Sequence, residues 1–252
     1  MNSVRPPRWL SALSLLLVLT ILGGLLTAAF SSLHWEWRWA SVWAYREKFL
    51  RGWLTTLTMV SFTLLLSIPL GLALTLGRVT GWLPVRQFCT TVIELIRGTP
   101  LLVQILVLFY IVGSALGLHN RFFAGILILA LFEAAYFSEI FRGAWLSIPQ
   151  STLTSARAIG LTPADTFTQI ITPLALRNCL PSLAGQTASL IKDSSLLSVI
   201  AVSEVTHVAQ EINAFTYGTL ESYLPLAVAY LVLTVPLSWL THKWEKSLAY
   251  AH

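Results

Sequence analysis

Lys192 and Asp193 stand side by side inside an apolar run, residues 178–203. At the centre of a bilayer each costs about 2.5–3.5 kcal/mol on the insertion scale, so such residues face a bundle interior or a water-filled cavity. Neighbours in sequence do not share a helical face, so the two point to different partners. Two readings follow. A cavity offering both charges suits a solute that carries an ammonium and a carboxylate, such as a free amino acid. Alternatively, the pair belongs to an ion network that braces neighbouring helices. Ser189, Ser194 and Ser195 add hydroxyls nearby, and Glu133 lies deep in another apolar run, residues 122–141. Glu139 and Arg142, three apart near the end of that run, read as a snorkelling surface pair. Glu204 and Glu211 fall before the last apolar run, in a solvated loop or at a docking point for a delivery protein.

Catalytic chemistry finds little support. There is no Gly-x-x-x-x-Gly-Lys-Ser/Thr phosphate loop. No Ser/His/Asp spacing and no metal-binding His cluster is visible, so the catalytic and metal sites are both read as none. Cys89 and Cys179 form no CxxC motif and read as two buried thiols.

The elements that must position these groups are membrane helices. The 252 residues are 56% hydrophobic and only 11% charged, against about 25% charged in an ordinary globular domain. Residues 9–33, 52–77, 98–118 and 222–241 are charge-free runs, each close to the ~20 residues a helix needs to cross hydrocarbon. With the interrupted runs 122–141 and 178–203, six spans are expected. They must be helices, because lipid offers backbone groups no partner. With the N-terminus inside, Arg5, Arg8, Arg78, Arg86, Arg97, Arg142, Arg157, Arg177, Lys243 and Lys246 are cytoplasmic, ten in all. Arg38, Arg46, Lys48, Arg51 and Arg121 lie outside, five in all. The net charge of +5 is thus a topology and headgroup signal. The scattered basic residues form no nucleic-acid patch.

The first run reads as a retained anchor. Thr27-Ala28-Ala29 resembles a signal cleavage site, but the run is longer than a signal's core of about 7–15 residues. Residues 34–51, rich in tryptophan and charge, read as an interfacial helix. The second span contains Pro69 and Gly71, where a kink is tolerated if neighbours re-satisfy the freed carbonyls, and residues 77–84 read as a turn. Glu94 and Arg97 share a helical face before Gly98-Thr99-Pro100 breaks it.

The stretch "SARAIGLTPADTFTQIITPLALR" differs from its oily surroundings. Residues 151–159 predict a short helix with Leu153, Ala156 and Ile159 on one side. Gly160 suits the left-handed position that ends it. Thr162 can cap the next helix, with Pro163 at its first position and Asp165 three on from the cap. Phe167, Ile170, Ile171 and Leu174 continue an apolar stripe, and the helix is expected to stop near Thr172-Pro173. Such a hairpin can pack on its own bundle or plug a groove on a partner.

"IPQSTLTSARAIGLTPADTFTQIITPLALRNCLP" resembles the cytoplasmic loop of permease subunits of ATP-binding cassette importers. "ELIRGTPLLVQ", "SEIFRGAW" and "SLIKDSSLLSVIAVSEVTHVAQEI" are similar to the polar amino-acid permeases of binding-protein-dependent uptake. The resemblance runs from about Phe49 to Lys246. It implies an all-α type I importer fold with an extra N-terminal span, in a bacterial inner membrane, with both termini cytoplasmic. It also implies a second permease subunit, identical or related, an ATPase dimer that carries the ATP and Mg, and an external solute-binding protein. The chain itself would bind no cofactor. In that family the loop docks in a cleft of the ATPase, which carries over to Thr154, Ser155, Ala156, Arg157, Ala158, Ile159 and Gly160. The family's motif opens Glu-Ala-Ala where this chain has Thr154-Ser155-Ala156, so an ion pair made by that glutamate is missing. The expected organisation is an anchor and interfacial segment over residues 1–48, a permease core over 49–246 containing the loop 148–177, and a tail over 247–252. An ion-coupled secondary transporter is the rival reading, though no inverted repeat is evident. A membrane enzyme or signalling subunit without flux is the other.

Overall fold

The computed structural model describes residues 8–31 and 37–249. Arg5, residues 34–36 of the expected interfacial segment and the last three residues of the tail lie outside them. The chain divides into two units, one up to Arg38 and one from Trp39. Among its described residues the first contains a single helix, α1 (Arg8–Ser31). Its residues Ala12–Leu25 form one apolar stretch.

The second unit begins with a short helix, α2 (Trp39–Trp43), rich in exposed tryptophan. Helix α3 (Arg46–Val79) follows and runs through Pro69. Its buried positions are Gly52, Thr56, Met59, Val60, Thr63, Ser67 and Gly71, nearly all small or polar, while its leucines are largely exposed. This inversion is what lipid demands: leucine gains nothing from leaving oil, whereas small residues let backbones approach. At Gly71 a Cβ would lie 2.8 Å from the Phe137 Cβ and 3.1 Å from the Ala134 carbonyl oxygen. Four residues on, the Thr75 hydroxyl bonds the Ser138 carbonyl at 3.2 Å.

A turn leads to α4 (Leu83–Gly98), then α5 (Leu101–Val107), continued as a π-helical turn (Leu108–Gly113). The predicted break at Gly98-Thr99-Pro100 bends the chain by 110°. Gln104 clamps the elbow, its Nε2 donating to the Ile96 oxygen at 2.6 Å, the Thr99 oxygen at 3.0 Å and the Thr99 hydroxyl at 2.8 Å. Next come α6 (Arg121–Leu146), capped by Asn120, and α7 (Gln150–Ala158). After them lie a first turn, α8 (Pro163–Thr166), a π-helical stretch (Phe167–Ile171) and α9 (Thr172–Asp193). A 3₁₀ segment (Ser194–Ile200), α10 (Val205–Thr216) and α11 (Thr219–Ala249) complete the order.

Helix α6 is the centre of the core and packs on α3, α9 and α4, while α11 covers α9 and α10 covers α3. Arg46–Val79, Arg121–Leu146 and Thr219–Thr241 are each long and apolar enough to span, and the bent pair Leu83–Gly98 and Leu101–Gly113 would make a fourth. The other two expected spans are helical as well, as α1 and α9.

Three expectations need correction. The helix after the hairpin does not stop at Thr172-Pro173. The π-helical stretch widens the ladder just before Pro173, whose ring would otherwise strike the carbonyl four residues back, and the Thr172 hydroxyl bonds the Phe167 oxygen at 2.9 Å. The run 178–203 is not one α-helix. It tightens to 3₁₀ after Asp193, where the Ser194 hydroxyl bonds back to the Ile191 carbonyl at 2.7 Å, and ends at Ala201 in the left-handed region (φ 55°). Finally, Glu204 and Glu211 do not sit in a solvated loop. Glu204 is fully buried and caps α10, which also carries Glu211.

Candidate functional site

The hairpin is built as its punctuation predicts. Helix α7 closes with the Gly160 N–H donating to the Arg157 oxygen at 3.0 Å and the Leu161 N–H to the Ala156 oxygen at 3.1 Å. This pairing ends a helix through a left-handed residue, and Gly160 has φ +82°. Thr162 accepts from the Asp165 N–H at 3.1 Å, and its hydroxyl donates to Asp165 Oδ2 at 2.5 Å. The hairpin is tied back to α6 twice. The Phe167 ring lies 5.8 Å from that of Trp145, and Asn178 Nδ2 donates to the Ser147 hydroxyl at 2.9 Å.

Its tip is open. Ala156 is buried, but Thr154, Ser155, Arg157, Ala158, Ile159 and Gly160 are exposed. Ile159, read on one side of the helix with Leu153 and Ala156, is 75% exposed, while Ala156 is buried. Ile159 is the cap residue just past the end of α7 at Ala158, with φ −89° and ψ 7° rather than helical dihedrals. Between the arms a groove is lined by Leu153, Arg157, Leu161, Pro163, Thr166 and Ile171. An exposed isoleucine beside an arginine and a groove of this lining is a surface that another protein can cover.

A second group of residues lies within the bundle. Glu133 on α6 is fully buried. Gln186 on α9 donates to its Oε1 at 3.4 Å, while Oε2 has no hydrogen-bond partner among the described residues. Gln186 precedes Asp193 by seven residues, two helical turns, so both lie on one face of α9, with Ser189 between them. Asp193 is half-buried. Lys192, off that face, is exposed. No ion pair among the described residues reaches Lys192 or Asp193. Ser195 is half-buried, and the buried Ser194 spends its proton on the Ile191 carbonyl. The structure therefore joins Glu133 to Gln186 and places Asp193 on the same face of α9, two turns further on. That glutamine was not singled out in the sequence, although a primary amide two turns before an intramembrane aspartate is a usable signal.

Two further carboxylates organise the ends of the bundle. At the hairpin end, Glu139 is no simple surface pair. Arg142 donates to its Oε2 from Nε at 3.0 Å and Nη2 at 2.6 Å, and Arg78 on α3 donates to its Oε1. Arg97 on α4 comes within 3.9 Å of Oε1, stacked over the Tyr136 ring at 5.5 Å, rather than pairing with Glu94. At the opposite end, Glu204 accepts from the backbone N–H groups of Thr206 at 2.8 Å and His207 at 2.7 Å, and from the Tyr230 hydroxyl at 3.2 Å. Burial pushes its carboxyl up to about 7, with those backbone N–H groups pulling the other way. Nearby, Glu211 pairs with Lys48 at 3.1 Å.

Comparison with known proteins agrees with this architecture. Residues 67–250 match the family described as binding-protein-dependent transport system inner membrane component. The glutamine transport system permease protein GlnP of Escherichia coli K12 is 33% identical over 220 residues, covering 84% of this chain and 98% of its own. The nopaline permease NocM of Agrobacterium fabrum is 35% identical, covering 73% and 80%. The L-cystine permease TcyB of Bacillus subtilis is also 35% identical, covering 76% and 82%. Among solved structures, an amino acid ABC transporter crystallised with histidines matches at a TM-score of 0.78 and 31% identity, over 84% of this chain and all of that one. The MetNI methionine transporter matches at 0.63 and 16%, a likeness of fold.

Proposed function

This chain belongs to the binding-protein-dependent transport system inner membrane components, and from that premise we propose that it moves polar amino acids. It is a multi-pass membrane subunit of an ATP-driven importer, and the ion-coupled reading is set aside. The relatives' names include glutamine, cystine and nopaline, which supports the polar class. The chain is a conduit rather than a catalyst. With no phosphate loop of its own, it leaves ATP and Mg to a separate ATPase dimer, and it takes its solute from an external binding protein. Two permease subunits, identical or related, enclose the pathway. The hairpin end and both termini face the cytoplasm.

The observation that carries this reading is the exposed tip at residues 154–160, stiffened by its left-handed stop and tied to α6 at both feet. The ATPase grips Thr154, Ser155, Arg157, Ala158, Ile159 and Gly160 around the buried Ala156. Without the family's glutamate the grip is apolar and steric, centred on Ile159. Deeper in the bundle, Glu133 and Asp193 meet the ammonium of the solute and Lys192 its carboxylate, with Ser189, Ser194 and Ser195 along the wall. Alternating access moves this site between faces, driven by differential affinity for two states.

The test is purification in mild detergent, ATP-dependent uptake in vesicles, and cysteine crosslinking from Ser155→Cys and Ile159→Cys. Capture of an ATP-hydrolysing chain is expected. Crosslinks that never reach one, or labelling of the hairpin from the outside, would overturn the reading. For the pathway, Lys192→Ala and Asp193→Ala complexes are expected to assemble and lose uptake. Wild-type flux in both removes these residues from it.

A further inference from the structure

Glu139 is oversupplied with cations. One carboxylate meets three guanidiniums, from α3 (Arg78), α4 (Arg97) and its own helix α6 (Arg142). Without it, three positive charges would crowd one corner of the bundle, so it converts repulsion between helix ends into attraction. Its place matters as much as its charge. Glu139 lies two turns before the end of α6, and α6 runs by a short link into α7 of the hairpin. Higher up, α3 and α6 are already locked by the Gly71–Phe137 approach and the Thr75–Ser138 bonds. What the cluster adds is a charged tie at the end of α4, which already packs on α3 and α6. Arg97 stands in the last turn of α4, at the elbow that Gln104 clamps, and beyond the elbow α5 packs on the 3₁₀ segment that follows Asp193.

We propose that Glu139 is a positioning residue for transport, joining the hairpin ends of α3, α4 and α6 into one lever. The hairpin already runs directly into α9, and its displacement then also reaches the 3₁₀ segment after Asp193 by a second route, through Arg97 and the elbow. The proposal rests on the importer reading above. A chain of contacts becomes a coupling path only when its removal changes coupling, so the decisive quantity is solute moved per ATP hydrolysed.

The experiment uses the full complex in proteoliposomes with its binding protein. Glu139→Gln keeps the side chain's shape and removes the charge. ATP hydrolysis and assembly are expected to persist, while solute moved per ATP falls about tenfold, within the 5–150-fold range of coupling free energies. Glu139→Asp is expected to restore part of the loss. Arg97→Gln leaves the Arg78 and Arg142 contacts in place and serves where Glu139→Gln fails to assemble, with the same direction expected. A wild-type ratio in an assembled Glu139→Gln complex overturns the proposal, as does a wild-type ratio in Arg97→Gln should Glu139→Gln not assemble. A wild-type preparation without ATP-driven uptake would instead remove the importer reading on which the proposal stands.

Discussion

Glu139 and Glu204 are both withdrawn from water, and they lie near opposite ends of α3. The first meets Arg78, and the second shares its turn with Val205, whose N–H donates to Thr56. The 22 residues between Thr56 and Arg78 span roughly 33 Å at 1.5 Å per residue. At the hairpin end the carboxylate is answered by full charges, two of them on other helices. At the opposite end it is answered by backbone N–H groups and a phenol, with no cation in the set. Attraction between full charges falls off slowly with distance, whereas hydrogen bonds from backbone N–H groups weaken steeply when distance or angle departs from ideal. The hairpin end is thus built to transmit, and the opposite end to hold still.

The largest expected effect tests the second half of that contrast. The Glu204 carboxyl is raised to about 7 from its ordinary 4.5 by burial. A raised carboxyl binds its proton more tightly in the folded state, so its stabilising contribution is complete below 4.5 and is lost as pH rises through about 7. At 1.36 kcal/mol per unit, the loss across that window is about 3 kcal/mol. Thermal unfolding of the purified protein should therefore show declining stability over this range, and Glu204→Gln should flatten the decline while keeping an oxygen for one of the two N–H groups. An unchanged slope in Glu204→Gln would mean that another group carries it.

The hairpin end should answer to salt instead. Arg97 and Arg142 are 44% and 43% exposed at the side chain, so the cluster is only partly shielded from ions. Glu139→Gln is expected to cost about 2 kcal/mol, less than the 3–5 measured when a fully buried pair is broken. The deficit should shrink between low salt and 1 M, where the screening length falls to about 3 Å and the stranded guanidiniums repel less. Unfolding of both proteins across a salt series checks this. A deficit independent of salt would point to lost packing.

The two ends also differed in how readily the sequence disclosed them. The hairpin was legible because its signals are local: Gly160 stops one helix and Thr162-Pro163 starts the next. The bend at Gly98-Thr99-Pro100 was legible for the same reason. The cluster was not, since Arg78 and Glu139 are 61 positions apart and only the packing of α3 on α6 brings them together. Glu133 was visible as an anomaly in an oily run, but its partner Gln186 comes from another helix, 53 positions on. Glu204 was misread as loop because its capping role needs α10, a helix too short for the span pattern to reveal. The π-helical stretch before Pro173 escaped because proline normally ends a helix, and only the surrounding bundle makes a widened ladder worth keeping.

Two glycines sharpen the comparison at smaller scale. Gly52 belongs to the end that holds still. A Cβ there would lie 2.8 Å from Val208 Cγ2 and 3.3 Å from the Val205 Cα, so the neighbour in the way includes backbone of α10. Gly52→Ala is expected to cost about 1.5 kcal/mol by overpacking, read from unfolding, with ATP hydrolysis by the assembled complex unchanged.

Gly160 reverses the pattern. A Cβ there meets nothing within 4 Å, so Gly160→Ala brings no clash. Its backbone, at φ +82°, lies where an alanine is strained by about 1 kcal/mol. Because the tip is exposed, that strain is relieved by local loosening of the turn, and the global unfolding midpoint should hardly move. Coupling should suffer more than stability, since the left-handed stop closes the turn that joins α7 to the second arm of the exposed tip. Uptake per ATP falling clearly while the unfolding midpoint stays within error is the expected pair of results. The converse pair, a lowered midpoint with intact coupling, would mean that the turn serves the bundle rather than its partner.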